Sequence, residues 1–224
     1  MSRRPGGAQR IPRPTDWHPG SLPPWIGRDL SVLDDLEQIE RRLLDRLSLV
    51  STDGSLPPGT WRPSAVLVGV THDGSCPSLL LTRRADHLRN HAGEVSFPGG
   101  RMEPGESPHD AALREAHEEI ALRPSVVRTL GVLSPLTTVV SDSFITPVVA
   151  RVGDIDGVRV DPGEVARVFT VPVAEFVRID TYSCESWITS RGEIDVHFFH
   201  LDDETVWGAT ARMIVALLDV LTAP

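Results

Sequence analysis

The sequence predicts an α/β fold, a mixed β-sheet covered by helices on both faces. Two observations carry this expectation. Short apolar runs of strand length recur from Ser64 onward. Two helical patterns, Ser107 to Ile120 and Thr210 to Leu221, are interleaved with those runs rather than segregated from them.

Taken in order, Met1 to Gly27 is rich in Pro, Gly and Arg and reads as an extended or disordered arm, with Trp17 and Trp25 as candidate anchors. Asp29 to Leu47 places Leu30, Leu33, Leu36, Leu43, Leu44 and Leu47 at helical spacing, which predicts an amphipathic helix packed on the main body. Ser51 to Pro63, with Asp53-Gly54 and Pro57-Pro58-Gly59, reads as a loop. Ala65 to Val70 and Ser78 to Thr82, joined by Asp73-Gly74, read as a hairpin. Further strands are expected at Val127 to Leu133, Ile145 to Val152, Val165 to Val171 and Val196 to Leu201. The domain organisation expected is an arm plus helix over 1–60 and a catalytic domain over 61–224.

Composition narrows the function classes. The 224 residues are 40% hydrophobic and 24% charged, as in an ordinary globular chain. The net charge of -9 argues against a broad nucleic-acid-binding face. No apolar run is long enough to span a membrane, and Met1 to Gly7 leads into no signal-like stretch. Cys76 and Cys184 are far apart and form no CxxC pair, which points to a reducing, cytoplasmic setting without structural zinc. All 22 Lys+Arg residues are arginine, so any anion clamp must use guanidinium groups, which grip phosphate bidentately.

Chemistry concentrates in Gly99 to Leu122. Ser107 is placed to cap a helix, Pro108 suits its first position, and Asp110 lies three residues after the cap. On that helix Leu113, Ala116 and Ile120 share one face. Glu115, Glu118 and Glu119 share another, at i, i+3 and i+4. Like charges at that spacing cost a helix roughly 0.2–0.5 kcal/mol each, and a hard cation reverses the sign. By spacing alone, the alternative is a solvated acidic face.

The wider pattern decides between them. Gly100, five residues, Glu106, seven residues, then Arg114-Glu115-Ala116-His117-Glu118-Glu119 matches GX5EX7REUXEE and resembles the box of Nudix hydrolases. The resemblance implies a Nudix-type α/β/α sandwich whose box forms a loop–helix–loop, and divalent metal (Mg2+ or Mn2+) assisting attack of water on phosphorus. It makes Glu115, Glu118 and Glu119 metal ligands, one of which serves as general base in some members, and it places Glu118 with Arg114 and Glu106 among the catalytic residues. Arg114 would pair with Glu106 to hold the loop on the helix, and Gly99 and Gly100 would let backbone approach metal or phosphate. One position departs: Ala121 stands where the box has Gly.

Upstream, Leu80 to Gly100 resembles LLTXRSXXXRXXXGXXXFPGG of the coenzyme A diphosphatase subfamily, with Ala85 in place of Ser. Ser143 to Val149 and Val206 to Ala211 are similar to later segments of the same subfamily. The resemblance implies cleavage of coenzyme A or acyl-CoA, with Arg84 and Arg89 binding substrate phosphate. It names a small nucleotide-like substrate as partner, no nucleic acid and no membrane, and leaves a homodimer open. Two other readings stand beside it: a Nudix hydrolase of ADP-ribose, NADH or a nucleoside triphosphate, and a non-catalytic ligand-binding protein.

Overall fold

The computed structural model describes residues 3–49, 61–74, 76–138, 142–190 and 192–224. In chain order these residues form strand β1 (Trp17–Pro19), helix α1 (Leu36–Arg46), β2 (Arg62–Asp73), β3 (Cys76–Arg84), β4 (Val95–Ser96), β5 (Gly99–Arg101), α2 (Pro108–Ile120), β6 (Val127–Val132), β7 (Leu136–Thr138), β8 (Ser143–Val152), β9 (Val165–Pro172), β10 (Tyr182–Thr189), β11 (Gly192–His200), β12 (Thr205–Trp207) and α3 (Gly208–Thr222). Short 3-10 turns occur at Ser31–Asp34, Pro124–Val126 and Val173–Val177. The loop expected from Ser51 lies outside the described residues as far as residue 60.

β2 is the centre of the molecule. Eight consecutive residues, Ser64 to Thr71, are buried, the mark of a strand covered on both faces. It pairs parallel with β8 and antiparallel with β3, so the sheet is mixed as expected. Its side chains alternate between two cores. Val66, Val68 and Val70 face α1 and α3 together with Leu79, Leu81, Leu217 and Leu218. Ala65 and Leu67 face α2 with Leu80, Ala112, Ala116 and Ile120. The result is the predicted α/β/α sandwich, with α2 alone on one face. β6 flanks β8, β9 flanks β3, and the short β4, β5 and β7 extend the β3, β2 and β8 pairings.

A second, four-stranded sheet has the order β1-β10-β11-β12; of its strands only β11 was expected, as Val196 to Leu201. β10 escapes notice because Ser183, Glu185 and Ser186 break the apolar pattern. All three are nonetheless buried. The arm is extended and supplies the edge strand β1. Trp25 anchors it in the core between Tyr182 and Phe199, whereas Trp17 stays 41% exposed beneath the Arg13 guanidinium. The helix expected over 29–47 is shorter, because the Asp35 side chain accepts the Glu37 and Gln38 N–H groups and starts α1 afresh after the 3-10 turn.

α2 begins as its sequence dictates. Ser107 Oγ accepts the Asp110 N–H at 3.1 Å, and Pro108 fills the first turn. At its other end Ala121 is left-handed, with φ +53°. The Ala121 and Leu122 N–H groups bond back to His117 O and Ala116 O at 2.9 and 3.3 Å, and the His117 ring lies 3.2 Å from Leu122 O. A left-handed alanine costs roughly 1–2 kcal/mol, part of which glycine gives back as unfolded-state entropy. Ala121→Gly is therefore expected to stabilise the protein by about 0.5–1 kcal/mol in urea unfolding, with activity unchanged.

Candidate active site

On the acidic face of α2, Glu119 and Glu115 meet β5 at Gly99 and Gly100, and the loop that follows β5 runs back to the helix. Arg114 ties the two together. Its Nε and Nη2 donate to the two Glu106 oxygens at 2.9 and 3.1 Å, a bidentate fork. Nη2 also reaches Arg101 O at 2.9 Å, and Nη1 donates to Glu115 and Glu118 at 3.0 Å each. One guanidinium thus joins loop and helix. The fork, with the Glu103 N–H at 2.8 Å, holds the Glu106 carboxyl below its ordinary range. The same partners raise the Arg114 guanidinium further above neutral pH.

The three glutamates differ sharply in surroundings. Glu119 is 3% exposed. One of its oxygens accepts the Gly99 N–H at 3.2 Å, and the other lies 3.8 Å from Arg84 Nη1. Burial outweighs both and pushes its carboxyl up to about 7. Glu115 is also raised, chiefly by burial. Glu118 is open to water, with a side chain 58% exposed.

The glycines supply room. A Cβ on Gly99 would sit 2.4 Å from Ala65 O, inside the β2–β5 pairing. A Cβ on Gly100 would come within 2.5 Å of the Glu115 carboxylate. Because that obstacle is the end of a flexible side chain, Gly100→Ala is expected to fold with a Tm close to wild type. The displaced carboxylate is expected to lower kcat/KM by about 10²-fold, as misplacement near 1 Å can do.

Donors of this kind suit a hard divalent cation: they are carboxylate oxygens only, with Glu119 buried and the half-buried Glu115 repelling it. Glu115 and Glu119, held beside Gly100 and Gly99, are the two that could hold such an ion together. Among the described residues no three ligating side chains converge on one point, since Glu118 is turned out onto Arg114. Glu118 fits once it leaves that partner.

The remaining predicted residues divide. Arg84 lies at the site through Glu119, and its buried Nε has no hydrogen-bond partner. Arg89 is exposed on the 85–94 loop. Sequence reasoning missed Glu164, whose charge bears on both Glu115 and Glu119. Backbone bonds place it there: Arg159 and Asp161 N–H cap α2 at Ile120 O and Glu119 O, and Ala85 N–H bonds Glu164 O at 2.9 Å. No local pattern marks a residue delivered this way.

The NUDIX domain profile matches residues 60–190, a stretch that holds both the box and the strands supporting it. The chain belongs to the Nudix family. As a Nudix hydrolase it acts on diphosphate bonds, and Nudix hydrolases generally use divalent metal ions. Similar proteins include the uncharacterized Nudix hydrolase NudL of Yersinia enterocolitica, 42% identical over 143 residues, 62% of this chain and 71% of that one. NudL of Yersinia pestis is 40% identical over 158 residues, 69% of this chain and 77% of that one. Among solved structures, a MutT/nudix family protein from Enterococcus faecalis aligns with a TM-score of 0.49 and 14% identity, covering 83% of this chain and 73% of that one. No helix among the described residues of this Nudix hydrolase is long and apolar enough to cross a membrane.

Proposed function

We propose that this Nudix hydrolase is a Mg2+- or Mn2+-dependent diphosphatase of coenzyme A or its thioesters, releasing 3′,5′-ADP and 4′-phosphopantetheine or its acyl form. The observation that supports this most is the approach of Arg84 to Glu119 at 3.8 Å. It joins the Leu80–Gly100 segment, which carries the coenzyme A resemblance, to the carboxylate helix.

In this reading Glu115, Glu118 and Glu119 hold the metal. When bound, the ion neutralises the diphosphate and acidifies the attacking water. Glu118, the most exposed of the three, takes the proton as water oxygen bonds to phosphorus and the phosphorus–oxygen bond of the leaving phosphate breaks. Arg114, with Glu106 behind it, holds the loop on the helix, and Glu118 leaves Arg114 to join the metal. Arg84 and Arg89 bind substrate phosphates, suited to it by their fork geometry. Gly99 and Gly100 admit backbone close to the reacting group. In this reading residues 61–224 are the catalytic domain of a cytoplasmic enzyme, preceded by an arm plus amphipathic helix over 1–60.

A substrate panel at equal concentration tests this. Coenzyme A, acyl-CoA, ADP-ribose, NADH and a nucleoside triphosphate are each incubated with Mg2+ and the products identified. Fastest turnover of coenzyme A or acyl-CoA to 3′,5′-ADP is expected. No cleavage of coenzyme A beside rapid cleavage of another dinucleotide would refute the substrate, and no cleavage of any would refute the chemistry.

A further inference from the structure

Arg83 and Arg84 are neighbours at the end of β3, where its pairing with β9 shifts register, and they reach different partners. Arg84 reaches the catalytic carboxylate Glu119. Arg83 reaches a cluster of polar side chains around buried Glu204 that Gln9 of the amino-terminal arm joins. At its centre is Glu204, 3% exposed, with Arg83 Nε at 3.9 Å and Arg167 Nη1 at 3.5 Å. Burial raises the Glu204 carboxyl, and Gln9 answers that burial with a hydrogen bond from Nε2. The same Gln9 amide accepts the Thr205 N–H at 2.8 Å and donates to Gly93 O at 3.3 Å.

Gly93 belongs to the 85–94 loop that carries Arg89. There the backbone is left-handed, φ +69°, and a Cβ would strike Asp86 Oδ1 at 2.8 Å, the atom that receives Arg83 Nη2 at 2.8 Å. The loop is thus drawn against Arg83 and, through Gln9, against the arm. The arm itself is fixed on both sides of Gln9. Arg4 pairs with Glu175 and Asp202, Gly6 and Gly7 N–H bond Leu201 O and Thr205 Oγ1, and Arg13 forks onto buried Glu185 at 2.7 and 2.6 Å.

We propose that Gln9 is a positioning residue of the substrate site: from the amino-terminal arm it straps down the 85–94 loop and so holds Arg89 where that arginine meets the anionic substrate. The proposal rests on the reading of Arg89 as a substrate residue. The arm is then part of the binding apparatus, although it lies outside the span of the catalytic box.

Gln9→Ala, Arg89→Ala and the double variant are compared in the full chain, with steady-state kinetics on coenzyme A or the best substrate of the panel. Tryptic cleavage after Arg89 is timed in parallel. Gln9→Ala is expected to raise KM about tenfold with kcat within about twofold, and to speed cleavage after Arg89 about tenfold. Gln9→Leu, which keeps the side chain's bulk, is expected to do the same. In the Arg89→Ala background, Gln9→Ala is expected to add nothing to KM. Unchanged cleavage in Gln9→Ala, with Arg89→Ala raising KM, would sink the strap alone. Independent, multiplying effects on KM would sink the link between them. An Arg89→Ala enzyme with wild-type KM would sink the reading of Arg89 itself, and the cleavage rates would still report whether Gln9 holds the loop.

Discussion

Glu119→Gln is expected to lose about 10³-fold in kcat, about 4 kcal/mol of transition-state stabilisation, while the metal-free protein becomes more stable at alkaline pH. Both halves follow from one carboxylate. Glu119 is 3% exposed, and its partners are one backbone N–H and a guanidinium at 3.8 Å. Glutamine keeps the shape and can still accept the Gly99 N–H, so the local fold survives. It cannot supply the charge that a divalent ion requires. The sign of the pH effect is set by the raised folded-state value. Glu119 goes from 4.5 in a solvated chain to about 7 in the fold. The folded protein therefore binds the proton more tightly than the unfolded chain. The corresponding stability is complete below about pH 4.5 and is lost as pH rises through about 7, by roughly 3 kcal/mol in all. Denaturant unfolding of wild type in chelator, from pH 4.5 to 8.5, is expected to show that decline, and Glu119→Gln to lack most of it. Equal pH slopes would refute the buried-carboxylate account. Unchanged turnover would refute the metal assignment.

How far these features were legible in the sequence depends on how local their causes are. α2 was readable almost to the residue, since its cap, its proline and its i, i+3, i+4 glutamates all act within a few turns. Ala121 was marked only as a departure from the box, and its left-handed backbone comes from the structure. The central strands were readable too, since their apolar runs need no partner to be recognised. The helix before them was misjudged in length, because one side chain, Asp35, overrides a continuous leucine pattern. β10 was invisible. Its buried Glu185 is tolerated only because Arg13, more than 170 positions away, forks onto it, and Trp187 Nε1 donates to it at 2.8 Å. Likewise Glu164 and Gln9 reach their places by backbone bonds and packing between distant segments. Periodicity reports which face a residue occupies; it does not report what long-range closure brings to that face.

Arg114→Ala is the second large effect, and it separates the support of the site from its chemistry. The guanidinium satisfies three carboxylates and one carbonyl, and Glu106 and Glu115 keep only 12% and 15% of their side chains exposed. Removing it leaves two partly buried carboxylates without a counter-charge beside a third. A fully buried pair broken in this way costs about 3–5 kcal/mol; with solvent reaching a quarter of Arg114, about 2 kcal/mol of stability is expected to be lost. The loop 99–107 then loses its bond to α2, and Gly99 and Gly100 lose their fixed distance to Glu119 and Glu115. Groups that orient metal ligands typically matter by 10–100-fold, so kcat is expected to fall about 10²-fold, with metal affinity reduced in parallel. Arg114→Lys restores the charge but not the fork. It can meet Glu106 or the helix glutamates, but not with the two parallel bonds that set the angle between them. It is therefore expected to recover much of the stability and little of the turnover. Were the lysine enzyme fully active, charge alone would account for Arg114, and the geometric role of the Glu106 fork would be refuted.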